Sequence, residues 1–271
     1  MSTGLKRETL DKYYTDKSAV ELCGNLIKEH VDISDADLCI EPSAGNGAFI
    51  PFIEGTFNNY SFYDLKPEDP RIDTLDFTTF KFEGSGENKV HVVGNPPFGR
   101  QASSAIKFIK ISAQFCDSIS FILPKSFKKD SMKKHFPVNF HLQHESDLPD
   151  DSFRVNGEKH SVPCVFQIWV KKDTPRAIPV PLVPNGYTFV KKQEPHDISF
   201  RRVGVYAGKI DTETADKSEQ SHYFIKFNKP LSKAKFNKLA KIEFANKNNT
   251  VGPRSISKQE LMEQFNTNNS L

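Results

Sequence analysis

Short apolar runs closed by turn signals recur at Leu38–Ile40, Ser61–Tyr63, Val90–Val93, Ile119–Leu123 and Val165–Val170. Between them, apolar positions at helical spacing fill Lys17–Val31, Ala48–Phe57, Ala102–Phe115 and Phe127–His135. This alternation predicts a parallel sheet with helices on both faces. The stretch His141–Asp147 and the run Val165–Val170 are joined by a loop without a helical pattern, which predicts a closing antiparallel pair. Thr174–Pro184 then carries four prolines in eleven residues, and it reads as an extended connector over 173–185. Shorter β-like pieces follow at Tyr187–Val190, Ser199–Val205 and Tyr223–Phe227, with a helix near Lys233–Phe244. The Asn-rich stretch from Asn246 predicts a frayed tail.

Composition sharpens this division. The 271 residues carry 37 Lys+Arg against 34 Asp+Glu, but the balance is uneven. Residues 1–170 hold 19 basic and 24 acidic side chains, and residues 171–271 hold 18 and 10. An acidic first part followed by a basic last part suggests that the second faces a polyanion. The fold expected is therefore α/β over 1–172, then the connector, a small basic α+β region over 186–245, and a flexible tail over 246–271. No apolar run reaches the ~18 residues of a membrane span, and the first residues lack the apolar core of a signal peptide. An intracellular, cytoplasmic setting (or a viral replication compartment) is expected. Cys23, Cys39, Cys116 and Cys164 stand singly in apolar segments and read as buried free thiols, and no metal-ligand spacing occurs.

Two segments carry candidate chemistry. In the first, Leu38-Cys39-Ile40-Glu41-Pro42-Ser43-Ala44-Gly45-Asn46-Gly47, a strand runs into an acidic residue and a turn with two glycines. Glycines there allow positive φ and close approach of a ligand at the carboxyl end of a strand. Glu41 would repel a pyrophosphate and suit a cation. In the second, Val90–Val93 leads into Gly94-Asn95-Pro96-Pro97-Phe98-Gly99. The prolines fix the backbone so that the Asn95 amide oxygen and the Pro96 carbonyl form a cradle for an exocyclic amine, with Phe98 as a flat apolar surface beside it.

Together these segments resemble the class I S-adenosylmethionine-dependent methyltransferases, specifically the amino-methyltransferases with an Asn-Pro-Pro-aromatic loop. The resemblance spans about residues 11–171 and implies a Rossmann-like sheet with a terminal antiparallel strand. It implies that Glu41, Pro42, Ala44, Gly45 and Gly47 bind S-adenosylmethionine, and that Asn95, Pro96, Pro97 and Phe98 form the catalytic loop, with Asn95 also beside the cofactor. Lys12-Tyr13-Tyr14-Thr15 looks like the family's upstream motif, placing Tyr14 and Thr15 on the methionine moiety. Asp64 matches the acceptor for the ribose hydroxyls, and Asp76 with Phe77 matches the adenine site of the cofactor. Asp76 also reads as a turn or helix cap.

The same resemblance suggests methylation of the adenine N6 amine, with DNA placed ahead of RNA as the substrate. A base must leave the stack to reach such a loop. Phe98 and Phe153 are candidate walls for it, and Arg154, Lys159, Arg201 and Arg202 are candidate nucleic-acid contacts. Ser199–Lys209 and Ser218–Phe224 resemble a segment recurring in viral and phage methyltransferase-like proteins. Cytosine-C5 chemistry is set aside because Pro163-Cys164 falls in the late strand. A glutamine-N5 methyltransferase usually carries Tyr where Phe98 stands. A catalytically silent nucleic-acid-binding subunit remains an alternative, and a protein partner or homodimer stays open.

Overall fold

The computed structural model describes residues 13–84, 86–155 and 157–269, and the expected Lys12 of the upstream motif lies outside them. The chain divides into two compact units, Met1–Ala177 and Ile178–Leu271.

In chain order the first unit contains β1 (Tyr14–Thr15), α1 (Lys17–His30), β2 (Leu38–Glu41), α2 (Ile50–Glu54), β3 (Asn59–Asp64), β4 (Asp73–Thr74), β5 (Val90–Gly94), α3 (Ser103–Ser112), β6 (Ser118–Pro124), α4 (Asp130–Lys133), β7 (Phe140–Asp147), β8 (Phe153–Val155), β9 (Glu158–His160) and β10 (Cys164–Lys171). Among the described residues, seven strands form one sheet in the order β4-β3-β2-β5-β6-β10-β7. β2 through β6 pair in parallel, and β10 lies antiparallel between β6 and β7. The α/β architecture with its antiparallel closing strand is the expected one, although β10 is inserted beside β6 and β7 takes the edge.

Burial explains the order. Every residue of β5 and β6 is buried, so these strands must lie centrally with both faces covered. Alternation then sorts the side chains: Ile122, Phe166 and Ile168 join Cys23 and Ile27 of α1 and Ile53 of α2 on one face. Phe121, Leu123 and Trp169 join Phe108 and Ile109 of α3 on the other. Asp16 caps α1 by accepting the Ser18 N–H at 3.1 Å. The helix expected over Phe127–His135 shrinks to a 3-10 turn at Lys125–Lys128 and the four residues of α4. The loop expected between β7 and β10 contains the β8–β9 hairpin, which pairs through Phe153 with Thr15 of β1.

The second unit is built on β11 (Tyr187–Val190), β12 (Ile198–Arg201), β13 (Ile210–Asp211) and β14 (His222–Phe227), in the antiparallel order β11-β14-β12-β13, with α5 (Lys233–Ala240) and α6 (Lys258–Asn269). The frayed tail expected from Asn246 is corrected by α6. Leu261, Met262 and Phe265 are buried with Tyr187, Phe200 and Ile225. The amides of α6 also hold the proline-rich segment. Gln259 accepts the Leu182 N–H at 2.8 Å and donates to its carbonyl at 3.3 Å, and Asn266 does the same for Asn185 N–H (3.0 Å) and Val183 O (2.8 Å). Side-chain amides thus replace the strand partner that prolines deny this backbone. No helix among the described residues is long and apolar enough to cross a membrane.

Candidate active site

In the sheet, β3 lies on one side of β2 and β5 on the other, so the chain reverses its direction of strand addition between β2 and β5. Open α/β sheets bind ligands at the carboxyl ends of the strands beside such a reversal. Glu41, Asp64 and Gly94 are the last residues of β2, β3 and β5.

Glu41 is 2% exposed, and its Oε2 is buried without a hydrogen-bond partner. Burial, and secondly the Asp64 charge, pushes its carboxyl up to about 8. Gly94 makes room for it: with φ at +150°, a Cβ there would stand 3.3 Å from Glu41 Cγ. The glycine turn is held by Asp64, whose Oδ2 accepts the Gly45 N–H at 2.8 Å while Oδ1 accepts the Lys66 N–H at 2.7 Å. Gly45 (φ +55°) and Gly47 (φ +81°) occupy the left-handed region. A Cβ on Gly45 would come within 4.0 Å of the Tyr14 ring, whose hydroxyl donates to Glu68 at 2.6 Å. Pro42 and Ala44 lie in the same buried turn, with the Ala44 N–H bonded to Tyr63 O.

The second signature is tied to the first. Ser43 Oγ donates to the Asn95 carbonyl at 3.2 Å. The Asn95 Nδ2 donates to Thr15 Oγ1 at 3.3 Å and to the Tyr13 carbonyl at 3.4 Å. A carbonyl can only accept, so this bond fixes which end of the amide faces β1. The other end, Asn95 Oδ1, is buried and has no partner. A buried acceptor left unpaired costs ~1–3 kcal/mol, which a ligand N–H would recover. Pro96 is buried and Pro97 exposed. Phe98 is half-buried against the face of the sheet that carries Ile122 and Phe166, and its carbonyl accepts the N–H groups of Ser104 and Ala105 at the start of α3.

Other expected site residues take different positions. Phe153 is fully buried and meets Tyr13 edge-on, 6.2 Å between centroids, so it belongs to the core and offers no face to a base. That correction follows from its pairing with Thr15 on β1, which turns the ring inward. Tyr13, missed by sequence reasoning as a contact of Asn95, stacks on His160 at 5.4 Å. Asp76 accepts from the Thr78 N–H and hydroxyl through one oxygen and caps the turn Phe77–Thr79. Phe77 is buried against Phe80 and Phe108. Arg154 is bound to Asp16 at 2.6 Å, and Lys159 lies 3.8 Å from Asp151. In the second unit the two arginines diverge: Arg202 donates twice to the Gln220 carbonyl and lies over Tyr223, whereas Arg201 reaches a cavity.

All four cysteines are buried thiols, and burial pushes that of Cys164 up to about 12. Among the described residues no cluster of His, Cys, Asp and Glu is arranged to hold a metal.

No protein-family model and no curated protein sequence matches the chain. Solved structures are similar at low identity. A provisionally assigned RNA methyltransferase from Pyrococcus horikoshii is 16% identical, with a TM-score of 0.47 over 62% of this chain and 92% of that one. A modification subunit of a provisionally assigned type I restriction enzyme from Vibrio vulnificus is 14% identical, with a TM-score of 0.46 over 61% of this chain and 46% of that one. The 23S rRNA methyltransferase ErmE is 11% identical, with a TM-score of 0.43 over 60% of this chain and 71% of that one.

Proposed function

We propose that the chain is an S-adenosylmethionine-dependent methyltransferase that modifies the N6 amino group of adenine in nucleic acid, with DNA as the first substrate to test. The observation that carries this reading is the buried, partnerless Asn95 Oδ1, fixed by the bonds of its own Nδ2 and set in the Asn-Pro-Pro-Phe loop after β5. An acceptor so placed calls for an N–H of the substrate.

The cofactor fits the neighbouring residues. Glu41 presents a buried oxygen without a partner, suited to a cationic amine, and Gly94 keeps the space beside it open. Gly45, Gly47 and Tyr14 would border the cofactor, and Asp64 keeps lone pairs beyond its two backbone bonds for hydroxyls. When bound, S-adenosylmethionine supplies an electrophilic methyl group on a sulfonium. The chain's task is positioning. Asn95 Oδ1 and the Pro96 carbonyl accept the two amine hydrogens, which draws the nitrogen toward a pyramidal shape and exposes its lone pair. Phe98 provides an apolar surface for the ring. The methyl would move to the nitrogen as the sulfonium C–S bond breaks to a neutral thioether, and the nitrogen's surplus proton would pass to solvent.

The test uses S-adenosylmethionine labelled on the methyl, with pools of duplex DNA, single-stranded DNA and structured RNA. Label in N6-methyladenine supports the reading and identifies the substrate. Label in another base, or no cofactor binding in calorimetry, contradicts it.

A further inference from the structure

Ser199–Lys209 and Ser218–Phe224 both belong to the second unit. The fold brings them to one cavity of about 290 Å³. β12 pairs β13 through Ser199 with Asp211 and Phe200 with Ile210. Beyond that pair, Arg201 N–H donates to Lys209 O and Gly208 N–H donates to Arg201 O, both at 2.8 Å. Two residues thus face one, which is a bulge, and Gly208 at φ +103° makes it possible. On its other side Arg201 pairs with His222 of β14. The bulge and this pairing set Arg201, Lys209 and His222 side by side on the cavity wall.

Neighbouring cations on a sheet repel unless an anion joins them. The carboxylates of the cavity answer mostly another residue: Lys217 lies 2.9 Å from Asp216 and 3.3 Å from Asp211, whereas Lys209 reaches Asp211 only at 4.0 Å. Arg201 is anchored by Nε to the Val203 carbonyl at 2.8 Å. Its two terminal nitrogens have no hydrogen-bond or ion-pair partner among the described residues. A guanidinium held by Nε with its fork unfilled suits a phosphate. His222 Nδ1 donates to the Ser218 carbonyl at 3.0 Å and lies 3.0 Å from Ser221 Oγ. Burial, and then the charges of Arg201 and Lys217, hold its imidazole below the usual range. At the rim, Tyr206 is 72% exposed.

We propose that this cavity is a second nucleic-acid site, which takes a phosphate ester of a single strand between Arg201 and Lys209 and stacks the adjoining base on Tyr206. It rests on the functional reading only in that the strand would be the substrate. Strand binding without cofactor tests it separately from methyl transfer. The volume matches one nucleotide rather than a duplex, and an exposed aromatic beside a cationic wall is the arrangement that holds single strands without a fixed sequence.

The experiment measures fluorescence anisotropy of a labelled twelve-nucleotide single strand with the full chain, without S-adenosylmethionine, across a salt series. Tyr206→Ala and Lys209→Ala change exposed side chains and leave the Arg201 anchor intact. Each is expected to weaken binding by about tenfold, and Lys209→Ala to lower the salt slope by about one. Binding within twofold of the parent in both variants overturns the proposal, whether or not the protein transfers methyl groups. Reduced strand binding in both variants supports it even if no S-adenosylmethionine binds, which would count only against the catalytic reading. Calorimetry with adenosine monophosphate separates the sources of the phosphate: a free nucleotide that binds while the strand does not overturns the strand as occupant.

Discussion

Thr15 and Asn95 meet across 80 positions of sequence: the Asn95 Nδ2 donates to Thr15 Oγ1 at 3.3 Å and leaves Asn95 Oδ1 buried and unpaired. The hydroxyl thus orients the loop amide, a role distinct from touching the methionine moiety. Thr15→Val removes one net hydrogen bond of ~1 kcal/mol, so kcat is expected to fall about five- to tenfold. Thr15→Ser should stay near the parent. Calorimetry decides between the roles, because an orienting hydroxyl leaves the S-adenosylmethionine Kd unchanged, whereas a raised Kd would assign Thr15 to the cofactor.

Glu41 makes a prediction with opposite signs for stability and binding. Its carboxyl is raised to about 8 by burial and the Asp64 charge, against 4.5 for an ordinary glutamate. Between those values the unfolded chain gives up a proton that the folded chain keeps, so the folded state loses stability as pH rises from 4.5 toward 8. Glu41→Gln is expected to raise the Tm of the ligand-free protein, with a gap that widens over that window, and at the same time to weaken S-adenosylmethionine binding. A variant that loses Tm throughout would make Glu41 a structural residue. For the parent, binding of the cofactor's cationic amine should release close to one proton at pH 7, read by calorimetry in buffers of different ionisation enthalpy.

The far end of the same sheet makes a buried polar network. His91 lies 2.7 Å from Ser118 Oγ and 3.0 Å from Asp37, which also accepts the Ser34 N–H at 2.9 Å. Burial by itself would raise the Asp37 carboxyl, but the Ser34 and His91 contacts outweigh it and hold it below the usual range. Its contribution is therefore present above pH 3.8, the ordinary value, and is lost as pH falls through the lower folded value. Asp37→Asn is expected to destabilise the protein by about 3 kcal/mol at pH 7. Urea melts at pH 7 and pH 3 check this, and an equal difference at both would refute it.

Helix α6 is a part of the fold that the sequence concealed. Phe265 is fully buried with Tyr187 and Phe200. Phe265→Ala is expected to destabilise the second unit by ~3–5 kcal/mol, measured by thermal unfolding. A loss under ~1 kcal/mol would return the tail to a peripheral role.

What could be read in the sequence, and what could not, follows from where the information sits. Val90–Val93 and Ile119–Leu123 are apolar because both faces of their strands are covered, so the central sheet was visible as continuous runs. Glu41, the glycine turn and Asn95 were visible because they close such strands. Phe153 was misread because its burial depends on pairing with Thr15, a partner as remote in sequence as the 138 positions that separate Arg154 from Asp16 beside it. α6 was misread because Leu261, Met262 and Phe265 are diluted by Asn and Gln, side chains that read as solvent-facing until Gln259 and Asn266 meet the backbone of the proline-rich segment. The parting of Arg201 from Arg202 needed the bulge at Gly208, which no local pattern announces.

The central claim is that Asn95 Oδ1 receives the N–H of an adenine amine. Its most direct test is mass analysis of nucleosides after reaction of parent and Asn95→Ala with labelled S-adenosylmethionine and the nucleic-acid pools, beside cofactor Kd values for both. The account predicts N6-methyladenine from the parent, a loss of about a hundredfold or more in the variant, and nearly equal Kd values. Label at another atom, or comparable N6-methyladenine from Asn95→Ala, would contradict it.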